Sequence, residues 1–269
     1  MTELSLTLDT PDLAAHYERN SVDRQFKAGK RLIERIGLRP GQSVLDVGAG
    51  TGLLAAHVAQ IVGDDGFVHG VDPLPLRIEI AQSKARPNLK FSVDNAYDLT
   101  AFPPESFDVV YLNAVFHWFP EKLEPLRNFH RLLKPGGKLA LSTGSKEHPN
   151  RIHEIQQRVL ARPPYNGYSR PQQGLPHRVS PDELRNLLDQ TGFEIVSLDV
   201  EANANVHKDA EAAIAHSLAS SFGNLLGHLP EELRESARRE VIAELQGFQT
   251  EEGIKQEGAR ILAVAAKRA

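Results

Sequence analysis

The sequence predicts an α/β fold: a seven-stranded, mostly parallel sheet with helices on both faces and a helical cap. Three observations carry this expectation. Short apolar runs alternate with helical patterns along most of the chain, the order that builds β-α-β units. The first run, Val44 to Val47, contains the acid Asp46 and leads into Gly48, Gly50 and Gly52. Alternating glycines let a chain reverse tightly and bring its backbone against a ligand. A second apolar run, Phe67 to Val71, ends in another acid, Asp72, where a carboxylate can accept hydroxyl hydrogen bonds from a ribose.

The remaining elements follow in order. Asp23 to Ile36 reads as a helix with Phe26, Leu32, Ile33 and Ile36 near one face, and Gly37 is placed to end it. Its Lys27, Lys30, Arg31 and Arg35 read as a solvated face. Leu53 to Val62 and Pro75 to Ala85 are the next helices, and Leu89 to Val93 is the third strand. Phe107 to Leu112 is apolar enough to be central in the sheet. Glu121 to Leu133 has a helical stripe, Lys134-Pro135-Gly136-Gly137 breaks it, and Lys138 to Thr143 is the fifth strand. Ser145 to Val179 has no strong period and reads as a long cover. Tyr165, Tyr168, Arg170, His177 and Arg178 are the polar groups it would bring over a pocket. Ser180 to Glu183 is a capping box opening a helix. Phe193 to Val200 is the sixth strand. Two helical patterns, Asp209 to Phe222 and Pro230 to Phe248, precede a closing strand, Arg260 to Lys267.

Composition narrows the functions. A formal charge of −4 over 269 residues lends no support to a nucleic-acid partner. There are no cysteines, which excludes disulfides, thiolate metal sites and cysteine nucleophiles. The N-terminal stretch lacks the pattern of a secretory signal, and no apolar run approaches membrane-spanning length, so no membrane partner and a cytoplasmic location are expected.

The glycine turn excludes two common nucleotide sites. Leu53 stands where a dinucleotide fingerprint needs its third glycine, and no Gly-Lys-Ser/Thr follows for a P-loop. Asp46 under the turn would repel a pyrophosphate and suits a cationic or amino-bearing ligand. Asp46, the turn and Asp72 together resemble the first two motifs of class I S-adenosylmethionine-dependent methyltransferases, whose core is Rossmann-like. The resemblance implies S-adenosyl-L-methionine as cofactor, held by Asp46, Gly48, Ala49, Gly50, Thr51, Gly52, Asp72 and Pro73. Matched backwards from Ser106-Phe107-Asp108, the family's adenine-binding acid and alanine fall on Asn95-Ala96, with Asp94 as the alternative acceptor. Asn113-Ala114 and the run through Phe119 leave a middle strand at its carboxyl end, where open α/β sheets bind ligands. This run resembles the asparagine and histidine–tryptophan pair of small-molecule methyltransferases.

Methyl transfer from a sulfonium needs positioning and exclusion of water rather than a catalytic triad or a metal. His117 is the candidate base if the acceptor must lose a proton. Tyr17, Gln25, Phe116, Trp118, Tyr165 and Tyr168 are candidate substrate contacts. The implied division is an N-terminal helical lid, 1–40, a cofactor core, 41–144, 180–200 and 260–269, and substrate-side insertions, 145–179 and 201–259. The layout looks most like the group that includes trans-aconitate, malonyl-thioester and juvenile hormone acid methyltransferases. That implies a small-molecule acceptor with a carboxylate or hydroxyl oxygen and a protein that works as a monomer or homodimer. C-, N- or S-methylation and cofactor binding without transfer remain alternatives.

Overall fold

The computed structural model describes residues 22–148, 151–168, 176–220 and 226–268. Within them the chain runs α1 (Val22–Ile36), β1 (Ser43–Val47), α2 (Leu53–Val62), β2 (Phe67–Asp72), α3 (Pro75–Gln82), β3 (Leu89–Val93), β4 (Phe107–Asn113) and α4 (Leu123–Leu132). It continues through β5 (Leu133–Gly144), α5 (Arg151–Leu160), α6 (Pro181–Gln190), β6 (Phe193–His207), α7 (Ala210–Ser220), α8 (Glu231–Gln246) and β7 (Ile254–Lys267). Single 3-10 turns lie at Phe116–Trp118 and Tyr165–Gly167.

The strands form one seven-stranded sheet in the order β3-β2-β1-β4-β5-β7-β6. β1 pairs in parallel with both β2 and β4, and β4 pairs in parallel with β5. β7 inserts antiparallel between β5 and β6. The order of connection reverses at β1, so a crevice opens at the carboxyl ends of β1 and β4.

Side chains alternate between the two faces of each strand and feed two cores. One face carries α1, α2 and α3 through Leu32, Ile36, Leu54, Val58 and Ile78. The other carries α4 and α6 through Leu126, Phe129, Leu184 and Leu188. A third core of Ile152, Ile155, Val159, Ile214, Val241 and Leu245 joins α5, α7 and α8 into the helical cap. Ser180 closes its capping box with Glu183 in both directions, as the sequence predicts.

Three boundaries differ from expectation. β6 continues to His207 and β7 begins at Ile254, so the two form a long antiparallel arm. The added stretch alternates small and polar residues, and cross-strand pairing rather than intrinsic preference makes it a strand. Second, β5 begins at Leu133, directly after α4, with a register shift between Phe107 and Val109 of its partner strand. Third, the expected cover contains α5, whose Ile152, Ile155 and Val159 are buried at helical spacing. Arg35 is tied to Asp199 and Glu201 of β6, so the basic side of α1 is partly an ion-pair seam rather than a purely solvated face.

Candidate functional site

The glycine turn folds the tip of β1 over the tip of β2. The N–H groups of Gly48 and Ala49 both donate to the Val71 carbonyl, at 2.8 and 2.9 Å. Gly48 (φ 78°) and Gly52 (φ 82°) adopt left-handed backbone conformations, where a side chain is strained. Added Cβ atoms would lie 2.2 Å from the Val115 side chain and 2.7 Å from the Phe91 ring, so both positions require glycine.

Two carboxyl groups flank this turn. Asp72 is 6% exposed and accepts from the Gly50 N–H at 2.8 Å on one oxygen and from the Leu74 N–H at 3.0 Å on the other. A carboxylate has about four acceptor sites, so it can serve backbone donors and ligand hydroxyls together. Asp46 is 2% exposed and accepts from the Tyr111 hydroxyl at 2.6 Å. Burial pushes its carboxyl up to about 7, Tyr111 opposes that rise, and Asp72 adds to it. A buried carboxyl that ionises near neutrality is poised to gain from a cation placed beside it.

Asp46 opens into a cleft lined with Gln25 and Phe26 of α1, Gly48, Ala49, Thr51, Leu53, Leu54 and Asn113. Asn113 donates its amide N–H to the Gln25 carbonyl at 3.0 Å. Its Oδ1 is buried and has no hydrogen-bond partner among the described residues, and the same holds for Oγ of Ser142, the register partner of Asn113. An orphaned buried acceptor costs about 1–3 kcal/mol, which a ligand donor would recover. Ala114 follows at φ 60°, a conformation uncommon outside glycine. Its N–H is held by the Ser142 carbonyl at 2.8 Å, and this bend sends the chain off β4 into the 3-10 turn.

Beyond β3, the Asn95 amide oxygen accepts from the N–H groups of Tyr97 and Asp98 at 2.9 and 3.1 Å. It closes its own turn. Asp94 is partly buried, its carboxyl is pushed up by burial, and it accepts from the Asn95 N–H at 2.9 Å. Ala96 is buried.

His117 lies at the carboxyl ends of β4 and β5, with Nδ1 hydrogen-bonded to Thr143 Oγ1 at 3.2 Å. Burial holds its pKa well below the ordinary value, and the charges of Arg178, Lys122, Arg260 and His153 push the same way. Trp118 is half-buried against it, ring centroids 4.9 Å apart. Lys122 locks the segment: its ammonium donates to the carbonyls of Phe116, Phe119 and His177 at 2.5 to 3.0 Å. Burial pushes its pKa down to about 8, against the pull of Glu121 and Glu183. We expect Lys122→Met to cost about 2–4 kcal/mol in urea unfolding, because buried carbonyls lose their donor.

Two expected substrate contacts are corrected. Phe116 is fully buried and packs edge-on against Phe119, so it plugs the core rather than facing the cleft. Tyr165 is 1% exposed, and its hydroxyl is held by Ser236 and Glu240 of α8 at 2.9 and 2.6 Å. It pins the cap together. Tyr168 is 41% exposed, Pro73 is half-buried beside Asp72, and Tyr17 and Arg170 lie outside the described residues. Sequence reasoning missed Tyr111, Thr143 and Ser142. Tyr111 lies 65 positions from Asp46, and only strand order brings them together.

The methyltransferase domain family matches residues 18–198, more than half of the chain. The chain belongs to that family. In this methyltransferase-domain chain, 119 residues (42% of its length) are 38% identical to the ubiquinone/menaquinone biosynthesis C-methyltransferase UbiE of Vibrio campbellii. The match spans 46% of that protein, so the chain covers just under half the length of this relative. Among solved structures, a SAM-dependent methyltransferase from Aquifex aeolicus superposes with a TM-score of 0.53 at 21% identity, covering 70% of this chain and 91% of that one. The cyclase SpnF superposes at 0.58 and 19% identity, covering 91% and 82%. At such identities the likeness speaks for the fold alone, and a cyclase among the neighbours means that the fold does not dictate the chemistry. Among the described residues no helix is long and apolar enough to cross a membrane, and no cluster of His and acids could hold a metal.

Proposed function

We propose that this chain transfers a methyl group from S-adenosylmethionine to a small-molecule acceptor. The observation that carries the reading is the pair of buried carboxyl groups, Asp46 and Asp72, on either side of the glycine turn at the switch point of the sheet. The residues fit such a donor. Asp46 and the orphaned Oδ1 of Asn113 suit an ammonium-bearing tail, and Asp72 with the Gly50 N–H suits a ribose diol. Asp94 is the acceptor for an adenine amino group, because Asn95 spends its oxygen inside its own turn. Gly48, Ala49, Gly50, Thr51 and Gly52 supply close backbone, with Pro73, Ala96 and Ala114 bordering the same strand tips. When bound, S-adenosylmethionine supplies an activated methyl group on a positively charged sulfur.

The protein's own work is to seat the acceptor and exclude water. α1 covers one side of the cleft through Gln25 and Phe26. We assign the segments 145–179 and 201–259 to the acceptor side, around residues 1–40 as lid and a cofactor core. His117 stays neutral near physiological pH. In the tautomer that directs Nδ1–H at Thr143, Nε2 presents a lone pair that can take an acceptor's proton or orient an acceptor that has none. An oxygen acceptor and the carbon acceptor named for the UbiE relative both fit this machinery. The protein is read as a cytoplasmic monomer or homodimer with no nucleic-acid partner.

Calorimetry with S-adenosylmethionine and S-adenosylhomocysteine tests binding, and mass spectrometry of a metabolite extract incubated with isotopically labelled donor names the acceptor. Heat without any labelled product would assign the chain to cofactor binding without transfer. No heat with either ligand would end the reading. With an acceptor in hand, His117→Ala is expected to lower kcat about a hundredfold while the dissociation constant for S-adenosylhomocysteine stays within about twofold. Equal turnover would remove His117 from the mechanism.

A further inference from the structure

Arg178 is placed with unusual care for a residue in a connecting segment. The His177 N–H donates to the His117 carbonyl at 2.6 Å, and the Lys122 ammonium donates to the His177 carbonyl at 2.8 Å. On the other side, the Lys146 N–H donates to the Val179 carbonyl at 3.0 Å, and Val179 bridges in parallel to Ser145. Arg178 is therefore clamped between fixed neighbours across the tips of β4 and β5. Its side chain lies along Gly144, where an added Cβ would come within 3.1 Å of Nε.

The guanidinium at the end of this strap has an incomplete set of partners. It donates to His153 Nδ1 of α5 at 3.3 Å, and no carboxylate pairs with it among the described residues. Burial alone lowers its pKa from the ordinary value. Several arginines elsewhere in the chain are paired with carboxylates. Arg35 pairs with Asp199 and Glu201, Arg158 and Arg162 with Glu244, Arg238 with Glu211, and Arg268 with Asp189. A partly buried cation without an anion is costly. A guanidinium has five donors in a planar fork that matches carboxylate and phosphate oxygens. His117, the candidate base, lies within the electrostatic field of Arg178, Lys122, Arg260 and His153.

We propose that Arg178, positioned by His153 and backed by His117, forms the subsite that receives the anionic oxygen group of the methyl acceptor, a carboxylate or a phosphate. This rests on the methyltransferase reading. The arrangement divides the crevice: the Asp46–Asp72 side at β1 and β2 is acidic and takes the cationic donor, and the β4–β5 side is basic and takes an acidic acceptor. An anion seated there would complete the guanidinium's pairing and stand beside His117.

The test uses the full chain loaded with S-adenosylhomocysteine, titrated separately with succinate and with inorganic phosphate at constant ionic strength, and compares wild type with Arg178→Met and Arg178→Lys. The expected result is saturable binding of one of the two anions, weakened about tenfold or more in Arg178→Met and partly restored in Arg178→Lys, with S-adenosylhomocysteine affinity unchanged. Which anion binds tells carboxylate from phosphate. Arg178→Met is also expected to melt no lower than wild type without anion, since it removes a charge that no carboxylate among the described residues pairs and keeps the aliphatic stem. A merely structural strut would melt lower. If the loaded wild type binds neither anion, or Arg178→Met binds as tightly, the subsite is refuted while the methyltransferase reading stands. If the wild type fails to bind S-adenosylhomocysteine at all, that reading falls and the acceptor subsite with it.

Discussion

Asp72→Ala is expected to weaken S-adenosylhomocysteine binding by about 1–3 kcal/mol, roughly five- to 150-fold. Two losses combine. The ligand hydroxyls lose a charged acceptor, and the turn loses the anchor that holds the Gly50 and Leu74 N–H groups at 2.8 and 3.0 Å. The second loss acts on the free protein as well, so its stability should fall by about 1–3 kcal/mol as two buried donors lose their partner. Asp72→Asn separates the effects. Gly50 and Leu74 address different carboxylate oxygens, and an amide keeps an acceptor on only one side. Its stability and affinity should both fall between wild type and Asp72→Ala. Titration calorimetry well below the melting temperature reads the affinity, and urea unfolding reads the stability. An unchanged affinity in Asp72→Ala would remove this carboxylate from the ligand site.

Much of this arrangement was legible in the sequence because short-range chemistry dictates it. Gly48 and Gly52 announce their left-handed backbone by being glycine. Ser180 and Glu183 announce a helix start by their spacing, Asp46 is visible as an acid inside an apolar run before the glycines, and Asp72 as an acid ending the next run. What escaped depends on residues that meet only after strands are ordered. Nothing near Tyr111 in sequence marks it as the donor to Asp46, and nothing near Thr143 marks it as the partner of His117. The arm of β6 and β7 escaped for a related reason: Glu201 to His207 carries no apolar run, and its strand state comes from pairing with Ile254 to Arg260. Phe116 and Tyr165 were misplaced because an aromatic residue beside a polar tip has the same local signature whether it lines a pocket or plugs a core. The two turn hydrogen bonds that occupy the Asn95 amide oxygen, and favour Asp94 in the proposed reading, are not displayed by a sequence.

Asp46→Asn should act in opposite directions on the free and the liganded protein. The folded-state pKa of Asp46, about 7, lies above the ordinary 3.8. The free folded protein thus keeps a proton that the unfolded chain releases. The stability this group contributes is fully present below about pH 4 and is lost as pH rises through about 7. At about pH 8 the carboxylate is ionised in a buried site, and replacing it with a neutral amide that can still accept from Tyr111 should stabilise the free protein by about 1–3 kcal/mol. A shift of that size sets a ceiling of about 4 kcal/mol. Ligand binding should move the other way, since an ammonium-bearing ligand gains only from the ionised form. Wild-type affinity for S-adenosylhomocysteine should therefore rise with pH, approaching about tenfold per unit below neutrality and levelling off above about 7. The Asp46→Asn affinity should be weaker at pH 8 and nearly flat over the same range. Calorimetry near pH 7 in buffers of different ionisation enthalpy should detect a proton released on binding to wild type and none with the variant. A flat wild-type profile, or a variant that melts lower than wild type at pH 8, would mean that Asp46 serves the turn and not the ligand's charge.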